Sequence, residues 1–140
     1  MTDAADRDAL RHHQAAATDV LRRGVACLAD GPQAMVPANA GLRAEMAVVL
    51  SEYQQFKHAR IFDPAIASGD RQRAVLARHM KIACISAGEV FRVHQLQWTP
   101  DRIAADWRGY AVAARLTANQ LRRHILNEAE GIEDLLAAYA

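Results

Sequence analysis

Apolar residues recur along this chain at three- and four-residue steps, in four long runs separated by short polar breaks. In the first run the stripe is Leu10, Ala17, Leu21 and Leu28; in the second it is Leu42, Met46, Val49, Tyr53 and Phe56. The third carries Leu76, Met80, Ala83, Ala87, Val90 and Phe91, and the fourth Trp107, Tyr110, Ala114, Leu121, Ile125 and Ile132. No segment has the alternation and β-branched enrichment of a half-buried strand. The breaks hold all four prolines: Pro32 and Pro37 beside Gly31 and Asn39, Pro64 near Ser68 and Gly69, and Pro100 after Thr99. Thr99-Pro100 has the form of an N-cap followed by proline at the first helical position. The spacing predicts helices over about 3–29, 41–62, 70–97 and 101–138. Four amphipathic helices on short links are expected to pack as an all-α, antiparallel up-down-up-down four-helix bundle, one domain over 1–140.

Composition narrows the function. A chain of 140 residues can bury a core without staples. Its net charge is +1 with both signs interspersed, which gives no case for nucleic acid or a membrane surface. No apolar run approaches the ~20 residues that span a bilayer. The opening MTDAADRDALRHH is polar and of mixed charge, unlike a secretory signal or transit peptide, so a cytoplasmic protein is expected. Cys27 and Cys84 lie in apolar helical runs without CxxC spacing and are read as small buried hydrophobes in a reducing compartment. There is no Gly-rich phosphate loop, nucleophile elbow or HExxH, and no catalytic set is assigned. RHMKIACISAG (Arg78 to Gly88) is similar in part to a histidine phosphotransfer helix, but Lys81 follows His79 by two residues and the register fails.

The stretch LRRHILNEAEGIEDLL poses the chemical question, because His124 and Glu128, four apart, fall on its apolar face. An unpaired carboxylate buried there costs several kcal/mol, so water, a polar partner or a metal must satisfy it. Reflecting the helices about their loops puts His13, Gln54, His58, His79, His124 and Glu128 within about two turns of one another. His94 falls about 20 Å away at 1.5 Å per residue and is read as a satisfied core or interface residue. Imidazoles and a carboxylate suit iron, zinc or manganese, and bundle cores are where such sites are built. The alternative is a hydrogen-bonded core pair, with His13 at a boundary, His79 on a flank and His58 facing solvent. Glu45 and Glu52 are read as salt-bridge formers, and Trp98 and Trp107 as packing across the third corner.

HILNEAEGIEDLL resembles the last helix of the hemerythrin-like (HHE cation-binding) family, and YQQFKHARIFDPAI has the cadence with which that family's second helix closes. In that cadence Ile61, Phe62 and Pro64 hold the closing positions, with Asp63 as one extra residue. The order of His12 or His13, the Gln54/His58 pair, His79 and His124/Glu128 follows the same plan over essentially the whole chain. The resemblance implies a bundle around a non-haem di-iron centre, in a family that binds dioxygen, senses oxygen, iron or redox state, or helps repair iron–sulfur clusters. The chain departs from it where the second helix should offer His then Glu, since Gln54 and His58 stand there. The residues therefore support a reduced, mononuclear iron site drawn from His13, His58, His79, His124 and Glu128, or none. The second reading is a hemerythrin-derived bundle without metal that acts by protein–protein contact as a homodimer. It predicts an exposed apolar patch on one helix pair.

Overall fold

The computed structural model describes residues 4–137, with backbone alone for 33–39. It is all-α: α1 (Ala4–Leu28), α2 (Pro32–Lys57), a π turn (His58–Phe62), α3 (Asp63–Ile66), α4 (Arg71–Gln97), α5 (Pro100–Ala105) and α6 (Trp107–Ala137). Among the described residues there is no strand. The helix limits expected at residues 3 and 138 lie outside the described residues.

Three departures from the expected helices have local causes. α2 begins at Pro32, nine residues earlier than expected. Proline is tolerated at a first helical position, where its missing N–H has no partner to lose, and Gly31 supplies the positive φ of 82° that turns the chain into the helix. The second helix does not end cleanly at residue 62 but widens into the π turn. There the Asp63 N–H donates to the His58 carbonyl five residues back, just before Pro64, which has no N–H to give. The last expected helix is divided in two at Asp106, whose backbone leaves the helical region (φ −141°, ψ 71°). Its N–H closes α5 on the Arg102 carbonyl at 2.9 Å, and its carboxylate accepts the Gly109 N–H at 2.9 Å to open α6. One residue thus caps both helices.

Each of the four long helices touches two others, α1 with α2 and α6, and α4 with α2 and α6. The core runs from Leu10, Ala17 and Leu21 on α1 through Tyr53 and Phe62 to Leu121, Ile125 and Ile132 on α6. A smaller cluster closes the end near residue 100: Leu28, Trp98, Ile103 and Tyr110 are buried, with Trp107 against them. Trp98 and Trp107 both pack on the Tyr110 ring, at 5.6 and 5.7 Å between centroids. Thr99 caps α5 through the Arg102 N–H, with Pro100 at the start of that helix. The expected stripes on α1 and α6 are those that bury.

On α4 the stripe is turned. Ala74, Ala77 and Cys84 are the buried residues, whereas Ala83 is exposed and Leu76 is 39% exposed. Small side chains face inward, and Ile82, Ile85, Val93 and Leu96 point out, from 41 to 65% exposed. Met80, Ala87 and Phe91 of the expected stripe do pack against the core, so this helix carries apolar residues on two sides.

The double cap at Asp106 gives a prediction. A Cβ on residue 109 would lie 2.2 Å from Asp106 Oδ2. Asp106→Ala should lower stability by about 1 kcal/mol, the usual worth of an N-cap. Gly109→Ala should withhold the gain of about 1 kcal/mol that glycine-to-alanine normally brings inside a helix. Urea denaturation followed by circular dichroism measures both.

Candidate functional site

The answer to the buried carboxylate is a lysine. On α2 the apolar positions Met46, Val49 and Tyr53 continue four residues on to Lys57, so the helix carries an ammonium into the core. Lys57 and Glu128 have side chains only 4% and 3% exposed, and Lys57 Nζ lies 2.6 Å from Glu128 Oε1. The same ammonium sits 3.9 Å above the centroid of the Tyr53 ring, a cation–π contact in a water-poor setting.

His124 adds a third charge-bearing group one helical turn before Glu128. Its Nε2 is 3.2 Å from Glu128 Oε2, close enough for an ion pair but not aligned as a hydrogen bond. The Cys84 thiol of α4, followed by the Glu128 carboxylate, raises His124 to about 9 against the opposing effects of burial and Lys57. Burial pushes the Glu128 carboxyl up, but His124 and Lys57 outweigh it and hold it below its usual range. The Tyr53 hydroxyl is buried without an aligned hydrogen bond, and burial followed by the Glu128 charge raises its pKa. Two cations and one anion share this pocket of the core.

The remaining histidines are not gathered there. His13 packs its ring on aromatics, 4.8 Å from Phe56 and 6.1 Å from Tyr53 between centroids. His79 is exposed on α4. The loop reflection gave its level, but the turned register of α4 directs it to solvent. His58, expected to face solvent, is half-buried in the π turn beside Phe62, with Nε2 lacking an aligned hydrogen bond. Burial, then Lys81 and Lys57, lower its pKa. Gln54 turns its amide oxygen towards α4, 2.9 Å from where a Cβ on Gly88 would stand. His94 stacks on Tyr110 at 5.9 Å, with Nδ1 3.4 Å from Thr117 Oγ1. Glu45 forms its expected salt bridge, with Arg23 at 2.6 Å.

Among the described residues, no three His, Cys, Asp or Glu side chains are grouped so as to hold a metal ion. The donor chemistry agrees, because an ammonium already occupies one oxygen of Glu128 and would repel a cation there. His13, His58, His79, His124 and Glu128 are thus not brought together as one ligand set among the described residues. Lys57 and Cys84 complete the polar cluster instead, and neither is singled out by a search for ligand types. The signal for Lys57 is its place four residues after Tyr53; for Cys84 it is its place four after Met80.

An open cleft of about 260 Å³ reaches this cluster between α2, α4 and α6. Its lining includes Tyr53, Gln54, Lys57, Cys84, Phe91 and His124. No protein-family model, curated protein or solved structure matches this chain.

Two predictions follow from the charges. Glu128→Leu alone leaves Lys57 buried and unpaired and should cost about 3–5 kcal/mol. Combining it with Lys57→Met should recover most of that loss, as measured by the urea midpoint. For His124 the folded pKa is raised, to about 9. Its stabilisation is therefore complete below the ordinary histidine value of about 6.5 and is lost as pH climbs through 9. The melting temperature should fall between pH 6.5 and 9.5, and by less in His124→Gln.

Proposed function

We propose that this chain is a metal-free helical bundle, with the four-helix up-down arrangement of the hemerythrin-like family, that acts through protein–protein contact as a homodimer. The ring of contacts among α1, α2, α4 and α6 supports the bundle. The pairing of Met80 with Gly131 and of His94 with Thr117 supports antiparallel α4 and α6. The Lys57–Glu128 pair favours the metal-free form, since the core carboxylate has a cationic partner within the chain.

The observation that carries the proposal is the outer face of α4. Ile82, Ile85, Glu89, Val93 and Leu96 follow the step of a single helical stripe, and four of the five are exposed bulky hydrophobes. Ile85 and Val93 share a groove with Leu116 of α6, which is 64% exposed, and Val112 lies one turn earlier at 59%. Fourteen rises of 1.5 Å make this stripe about 21 Å long, and two helix widths give a face of several hundred Å². That is about half of one partner's share of a standard interface, about 800 Å².

A second copy suits the face because it is apolar on both helices and carries little net charge. Glu89, the polar member of the stripe, is neutralised in place by Arg92 at 2.8 Å. A two-fold axis parallel to the helices sets α4 against α6 of the other copy, in antiparallel pairs, and keeps the two Glu89 side chains apart.

Sedimentation velocity tests this. A dimer is expected, and Val93→Glu with Leu116→Glu should convert it to a monomer of unchanged helicity. A monomeric unmodified protein at high concentration, or a dimer indifferent to both substitutions, would overturn the proposal.

A further inference from the structure

The cleft between α2, α4 and α6 is lined by cations and apolar side chains, and by no aspartate or glutamate. Lys57 and His124 belong to its lining, whereas Glu128, the carboxylate that both of them meet, does not. Its walls include Leu50, Ala87, Phe91, Leu121 and Ile125. Arg92 lines it too, but that side chain is exposed and its guanidinium is held by Glu89 at 2.8 Å.

The charges here do not cancel. Lys57 takes one oxygen of Glu128 at 2.6 Å, and those two balance each other. His124 approaches the other oxygen at 3.2 Å and, raised to about 9, is protonated at neutral pH. One positive charge is therefore left over, in a part of the core that water solvates poorly. Donors are left over as well. Tyr53 lines the cleft and is 2% exposed, and its hydroxyl has no aligned hydrogen-bond partner. The Lys57 ammonium has three N–H groups, of which the hydrogen bond to Glu128 takes one.

An excess of one charge suits a monoanion, and apolar walls suit a hydrocarbon body attached to it. A phosphate group, with about 1.5 to 2 negative charges at neutral pH, would overcompensate. The cleft volume of about 260 Å³ lies just below the usual span of ligand pockets, about 300–1,000 Å³, so the ligand is small.

We propose that this cleft binds a small amphipathic monocarboxylate, of the medium-chain fatty acid class, with its carboxylate at Lys57, His124 and Tyr53. The two cations hold the head group by charge, and the Tyr53 hydroxyl donates to one of its oxygens. The alkyl chain runs along Leu50, Phe91 and Leu121. The cleft shares no lining residue with the groove between α4 and α6 that holds Val93 and Leu116, so binding here is independent of the dimer.

Isothermal titration calorimetry of the whole chain with sodium octanoate tests this. Two compounds are compared with it: 1-octanol, which has the chain without the charge, and inorganic phosphate, which has charge without the chain. One octanoate per chain is expected. Both other compounds should bind about ten-fold or more weakly, the scale of one hydrogen bond to a charged group. Ala87→Phe should fill the cleft and abolish octanoate binding. His124→Gln should weaken octanoate by about ten-fold and leave 1-octanol unchanged. The proposal would be overturned by an absence of saturable octanoate binding, or by 1-octanol or phosphate binding as tightly as octanoate. Octanoate binding indifferent to Ala87→Phe would overturn it too. Should either variant fail to fold, the three compounds compared on the unmodified protein decide alone.

Discussion

The burial of one ammonium against one carboxylate is the constraint on which the rest of this core depends. Lys57 and Glu128 come from helices far apart in the chain, and each is tolerable inside only because the other is there. Such a pair contributes little net stability compared with well-packed hydrophobes, but it is demanding about geometry. A slip of either helix by one residue would strand both charges. The pair thereby fixes how α2 and α6 face each other, and everything nearby adapts to it. The Tyr53 ring lies under the ammonium, His124 shares the carboxylate, and Cys84 of α4 lines the same cleft as His124.

With the charges satisfied inside, the outside of α4 becomes the unusual feature. Its inward face mixes small residues, Ala74, Ala77, Cys84 and Gly88, with Met80 and Phe91, and Gln54 reaches over Gly88 without a side chain in the way. Ile82, Ile85, Val93 and Leu96 lie on the far side. The helix is thus apolar on two sides, only one of which its own chain covers.

Much of this was legible in the sequence. The stripes on α1 and α6 are the buried ones, and the prolines mark the neighbourhoods where helices begin or change, because φ restriction and a missing N–H act locally. His124 and Glu128 were legible as inward-facing because α6 is regular around them. The partner of Glu128 was not, since a lysine beside His58 and Arg60 reads as surface unless its spacing from Tyr53 outweighs its charge. The stripe on α4 was legible only in part: Met80, Ala87 and Phe91 pack on the core, whereas Leu76 and Ala83 are exposed, because apolar residues occupy two sides of this helix and spacing alone does not choose between them. The levels of His13 and His79 follow from loop reflection, but level is one coordinate and azimuth another. Exposed His79 and ring-packed His13 are both settled by azimuth.

The π turn at His58–Phe62 acts as a phase shifter in the chain's periodicity. Upstream the buried positions run through Tyr53 and Lys57; downstream they run through Ile61, Phe62 and Ala65, with Pro64 outside. A single helical period drawn through both halves averages two phases and blurs each of them. The wider turn also uncouples the halves: the segment after it can keep its grip on α4 whatever angle the segment before it needs to deliver Lys57. One wider turn of backbone lets each half of the helix keep its own face to the core.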